Sequence, residues 1–188
     1  MSAPGRTAFL VVLAVASVTA AVVLVAGSGD GGRLSGNATD RAFVSDMTRH
    51  HQSAIDLASS ARKQAEHAEI RDLAANLISA QEGEMSVMRA IDTDMHHMGN
   101  TARGNMGMSD DELGMPVDAA KLEKATPFDR AFMDVMIVHH QGAVRMAKLQ
   151  LAKGDQPALR VIAHDIIGAQ SREIGRMRQW RDAWYGND

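Results

Sequence analysis

The chain has 188 residues, 45% hydrophobic but only 4% aromatic, with no cysteine and a formal net charge of −3. Acidic and basic residues are interspersed, so no lysine or arginine block offers a duplex a phosphate-neutralising surface, which argues against a nucleic-acid partner. An apolar mass of Ala, Leu, Ile, Val and Met suits close-packed helices better than strands, and the missing cysteine excludes disulfides, thiolate metal sites and a lipidated cysteine.

The first predicted element is a hydrophobic helix. Arg6 is the only charge before an uncharged stretch, residues 7–29, dominated by Ala, Val and Leu. Its length approaches the ~20 residues that span a bilayer, while Val18 and Ala20 fit the small-residue pattern of a signal-peptidase site. Residues 1–30 therefore read as a signal peptide or, by preference, an uncleaved membrane anchor. The positive-inside tendency keeps the N-terminus cytoplasmic and places residues 31–188 outside the membrane, anchored or secreted.

An internal repeat organises the remainder. At an offset of 89 residues, Asp40 to Asp92 aligns with Asp129 to Arg181 without a gap, with 18 identities in 53 positions. Repeat one is taken as 40–97, a Met- and Gly-rich linker as 98–125, and repeat two as 126–184. In each repeat, apolar residues recur at helical spacing twice, through Phe43, Met47, Ala54 and Leu57 and again through Ile70, Leu73, Leu77 and Met88 in the first. Four helices are predicted, at roughly 39–63, 67–96, 127–153 and 156–183. In the second hairpin, Lys153-Gly154-Asp155-Gln156-Pro157 offers a glycine stop, an acidic cap and a proline for the first turn. Two hairpins close their apolar stripes against each other, which gives an all-α antiparallel four-helix bundle. The linker has the length of a crossover lying over that bundle, with Leu113, Val117 and Leu122 as its packing residues.

Each repeat carries Met-x-x-His-His-Gln on its first helix, as Met47, His50 and His51 and as Met136, His139 and His140. Positions i, i+3 and i+4 share a helical face, so thioether and imidazole converge twice. That donor set suits copper, above all soft Cu(I), with silver as a further candidate; zinc favours Cys, His and carboxylates, and calcium and magnesium want oxygen. Equal helical rise from the hairpin turns sets Gln81, Glu84, Gln170 and Glu173 level with these faces, where they can hydrogen-bond the imidazoles and orient them. A further group of soft donors, Met95, His96, His97, Met98, Met106 and Met108, surrounds the end of the second helix and enters the linker. The plain alternative is that methionines on an apolar stripe fill the core and that buried histidines are satisfied by hydrogen bonds.

These residues resemble a ferritin-like helical family known as domain of unknown function 305, with the pattern F-x-x-x-M-x-x-H-H-x-x-A followed by Q-x-x-E-I-x-x-M. Phe132, Met136, His139, His140 and Ala143 fit its first part, and Gln170, Glu173, Ile174 and Met177 its second. Phe43, Met47, His50, His51, Ala54, Gln81, Glu84 and Met88 repeat it, with Met85 in place of the isoleucine. The resemblance implies extracytoplasmic copper or silver binding, as in some members. It does not imply di-iron oxidase chemistry, because no Glu-x-x-His occurs.

No nucleophile elbow, phosphate loop or zinc-protease motif is present, so the chain is not expected to be an enzyme. The leading expectation is sequestration or transfer of copper, with a copper carrier or transporter as partner and the membrane as a second one if residues 7–29 are retained. The competing expectations are a metal-independent interaction bundle, in which the histidine pairs set helix register, and a copper redox enzyme.

Overall fold

The computed structural model describes residues 36–97, 105–115 and 118–186, leaving aside the side chains of His96 and His97. The N-terminal segment 1–30, Met98 and Val117 lie outside the described residues. Six helices are found among the described residues: α1 (Ala38–Gln64), α2 (Ala68–His97), α3 (Asp110–Leu113), α4 (Ala119–Glu123), α5 (Phe128–Lys153) and α6 (Pro157–Tyr185). Among the described residues no helix is long and apolar enough to cross a membrane.

The four long helices form a bundle whose core divides into two clusters. One joins the start of α1 (Phe43, Val44, Met47), the end of α2 (Met88, Met95), the end of α5 (Met146, Ala147) and the start of α6 (Leu159, Ile162). The other joins the end of α1 (Leu57, Ala61), the start of α2 (Ile70, Leu73), the start of α5 (Phe132, Met136) and Met177 of α6. Each helix therefore runs antiparallel to both neighbours, α1 against α2 and α5, α6 against α5 and α2. Because α2 and α5 run the same way, the chain between them must travel the length of the bundle, which is the work of the crossover carrying α3 and α4.

Two buried aspartates tie the hairpins together at opposite ends. Asp40, in the first turn of α1, accepts hydrogen bonds from the backbone N–H of Asp155 (3.1 Å) and Gln156 (3.2 Å) at the turn of the other hairpin. Asp129, at the matched place in α5, accepts from the N–H of Glu66 (3.0 Å) and His67 (2.8 Å). Each carboxylate thus satisfies the orphan donors that a helix start leaves in a half-buried turn. Within each turn, Arg71 donates to the Ala65 carbonyl and Arg160 to that of Gly154.

The turn at Gly154 differs from its sequence reading. Gly154 is extended, with φ −81, so it stops α5 without a left-handed cap. Glycine is needed there for space, since a Cβ would meet the Gln150 side chain and the Asp40 carboxylate. Asp155 does not cap α6; Gln156 does, accepting from the Ala158 N–H at 2.9 Å, with Pro157 in the first turn.

Candidate metal centre

The two histidine pairs meet in the seam where α1 packs on α5. His50, His51, His139 and His140 are all fully buried, and the rings of His50 and His139 lie with centroids 3.7 Å apart. The pairs therefore make one cluster spanning both hairpins, where the sequence left open whether the two pairs share a site. Met47 and Met136 are fully buried in the two different core clusters, so one thioether lies on each side of the imidazoles along the bundle axis.

Partners from the second helix of each hairpin hold the outer rings. His51 Nε2 lies 2.7 Å from Glu84 Oε2, and His140 Nε2 lies 2.7 Å from Glu173 Oε2. Both contacts join residues 33 apart, the consequence of equal helical rise about two equivalent turns. Gln81 and Gln170 are also buried beside this layer, with their Oε1 atoms unpartnered. The crossover supplies a partner that the sequence did not suggest: the Leu113 carbonyl lies 2.9 Å from His50 Nε2.

Five imidazole nitrogens remain buried without a hydrogen-bond partner: Nδ1 of His50, His51 and His140, and both nitrogens of His139. Buried polar atoms are normally paired, and leaving one unpaired costs about 1–3 kcal/mol. Burial pushes His50 from its usual 6.5 down to about 3, against a weaker opposing pull from the Leu113 carbonyl. His139 is held well below the same value by burial and then by the neighbouring imidazoles, His50 first. Both rings are thus neutral bases at physiological pH, the form in which imidazole binds a metal. Among the described residues no group of three or more His, Cys, Asp or Glu side chains is arranged to hold a metal ion. Any site here therefore needs donors beyond those side chains, and Met47 and Met136 each stand three residues before a histidine pair on the same helix.

The linker donors are placed differently. Met95 is buried, and Met106, Met108 and Met115 pack half-buried against the core cluster at the start of α1. His96 and His97 occupy the last turn of α2. The crossover is fixed over the seam at several points: the Met106 N–H donates to Asp46 at 2.8 Å, Arg49 pairs with Asp110 at 3.4 Å, and Arg145 donates to the Glu112 carbonyl. His67, which the sequence left without a role, bonds Asp129 at 2.7 Å and stacks on Trp184 at 3.8 Å.

The sequence model of the family described as domain of unknown function (DUF305) matches residues 40–181. No curated protein matches. Among solved structures, CopM in its Cu(I)-bound form is 37% identical over 78% of this chain and 98% of its own, with a TM-score of 0.67. The Cu(II)- and silver-bound forms of CopM are 39% and 38% identical over 78% of this chain and 97% of theirs, at TM-scores of 0.66 and 0.65. A DUF305 fragment from Deinococcus radiodurans is 26% identical over 79% of this chain and 99% of its own, with a TM-score of 0.68.

Proposed function

This chain belongs to the DUF305 family, matched over residues 40–181, and from that premise we propose that it is an extracytoplasmic copper-binding protein that sequesters Cu(I) or passes it on. The observation that carries this reading is the cluster of five buried, unpartnered imidazole nitrogens, flanked by the thioethers of Met47 and Met136. A core histidine kept only for stability would be expected to have its nitrogens paired. CopM, a relative at this level of identity, has been solved with Cu(I), Cu(II) and silver bound, which supports the same cargo class here.

Burial argues for the monovalent ion. The Born cost of moving an ion into a low-dielectric core scales with the square of its charge, so a divalent cation costs about four times as much as a monovalent one of similar size. Imidazole and thioether are neutral and offset none of that charge. Glu84 and Glu173 each stand one hydrogen bond behind an imidazole. Soft neutral donors in a dry site therefore favour Cu(I), with silver as its chemical analogue. The apolar stretch of residues 7–29 would hold the bundle at the outer membrane face, and Met106, Met108 and Met115 would pass copper between the cluster and a carrier or transporter. With no catalytic motif in the sequence, metal is cargo in this reading and the chain is not an enzyme.

The second reading is an interaction bundle whose histidines only set register, and the bonds of His51 to Glu84 and of His140 to Glu173 favour it. A competitive Cu(I) titration against a chromophoric chelator separates the two, with a variant carrying alanine at His50, His51, His139 and His140 alongside. Tight uptake that is lost in a variant still helical by circular dichroism is the expected result. Uptake undiminished in the variant would transfer the site to the linker methionines, and no uptake by either protein would leave the interaction bundle.

A further inference from the structure

The methionines fall into two classes of accessibility. Every methionine of α1, α2, α5 and α6 is at most 4% exposed. Met106, Met108 and Met115 of the crossover are only partly buried, and they pack from outside on the core cluster at the start of α1. An oxidant in solution therefore meets the thioethers of the crossover before those of the helices.

The segment that carries them lies across the histidine seam. The Leu113 carbonyl is 2.9 Å from His50 Nε2, and a Cβ on Gly142 of α5 would overlap the Leu113 backbone. Gly114, at φ 69, sits as closely on the backbone of Val138 and His139. Few polar contacts hold the segment there. Arg49 and Asp110 pair with more than half of each side chain exposed, which contributes little, and Arg145 reaches the Glu112 carbonyl at the surface. The Met106 N–H donates to Asp46 at 2.8 Å. The rest is apolar contact, made by Leu113 and by the three methionines, so three of the four apolar side chains within residues 105–115 carry an oxidisable sulfur.

We propose that Met106, Met108 and Met115 form a peroxide-sensitive modification site, and that their oxidation lifts residues 105–115 off the bundle and uncovers His50. In each reaction a sulfur lone pair attacks one oxygen of hydrogen peroxide. The O–O bond breaks, an S–O bond forms, and the second oxygen leaves with both protons as water. Sulfur loses two electrons and peroxide gains them. The sulfoxide is polar where the thioether was apolar. Packed on the core it would bury an oxygen without a donor, so it turns to water and the contact that seats the crossover is lost. The four long helices keep their own methionines reduced because these are buried, and the bundle outlasts the release of its strap. No metal enters this inference, which stands apart from the copper reading.

The test uses the metal-free full chain treated briefly with hydrogen peroxide, with the gain of one oxygen mapped on each methionine by mass spectrometry. Met106, Met108 and Met115 should oxidise at least about tenfold faster than the methionines of the long helices. In the oxidised chain, amide hydrogen exchange at residues 105–115 should quicken by about tenfold or more while circular dichroism keeps the helices, and His50 should become reactive toward diethylpyrocarbonate. A variant with Met106→Leu, Met108→Leu and Met115→Leu keeps the packing and removes the sulfur, and peroxide should leave its crossover and His50 protected. Met→Gln at the same three positions should expose both without peroxide. Oxidation of the helix methionines at an equal rate overturns the site. Oxidised crossover methionines with exchange and His50 unchanged overturn the release, as does a leucine variant that still opens in peroxide.

Discussion

His50 shows what burial does to a residue whose ordinary basicity lies near physiological pH. Folded, it accepts a proton only near pH 3, whereas in the unfolded chain it does so near 6.5. Between those values the unfolded state binds the extra proton, so stability is complete above 6.5 and is lost as the pH falls toward 3. His139 shifts in the same direction. Urea unfolding of the metal-free chain at pH 7.5 and 5.5 should show a loss of about 1.4 kcal/mol per pH unit below 6.5 for each such histidine. His50→Asn should remove its own share of the slope and leave that of His139. A wild-type profile that is level across this range would mean that the ring takes up its proton at the same pH folded and unfolded, and so is not held neutral by burial.

The reciprocal aspartates belong to the scale of elements, because what each holds is the relation of one hairpin to the other. Asp40 and Asp129 are fully buried, and each accepts from two backbone N–H groups of the opposite hairpin's turn. Hydrogen bonds to a charged acceptor contribute about 1.5–3 kcal/mol, and removing the acceptor also leaves buried donors unpaired. Asp40→Ala and Asp129→Ala should each cost about 3 kcal/mol in denaturant unfolding, and because they act at opposite ends of the bundle the double variant should be close to additive. A loss below about 0.5 kcal/mol would show that the turns are held by packing alone. The helices themselves were legible from apolar spacing and self-comparison, and the observed α1, α2, α5 and α6 lie within two residues of their predicted ends. The aspartates stood in view at the head of each repeat, yet nothing local says that a side chain in the first turn of one hairpin will cap the other. The pairing of Glu84 with His51 could be anticipated because both lie in one hairpin, where helical rise fixes the level. The contact of Leu113 with His50 could not, because it depends on the path of the crossover between the hairpins, which neither helical rise nor the repeat fixes.

At the scale of the whole molecule, the position of the cluster decides how copper should act on the fold. The imidazoles are drawn from α1 and α5, one helix of each hairpin, and the rings of His50 and His139 touch across the seam. A cation held there bonds the hairpins to each other, whereas a cation on Met106 or Met108 would stabilise the crossover and its edge of the core. Any ligand that binds only the folded chain raises its stability by RT ln(1 + [L]/Kd), about 2.7 kcal/mol at one hundred times Kd. For a domain of this size that corresponds to a rise in Tm of roughly 5–10 °C. The increase should vanish in the variant lacking all four histidines. Hydrogen exchange should place it: copper is expected to slow the amides around His50 in α1 and around His139 in α5 together, because the two helices cannot separate without breaking the same set of metal bonds. Slowing confined to one hairpin would mean that each repeat binds its own ion, and slowing confined to residues 105–115 would place the metal on the crossover instead of the seam.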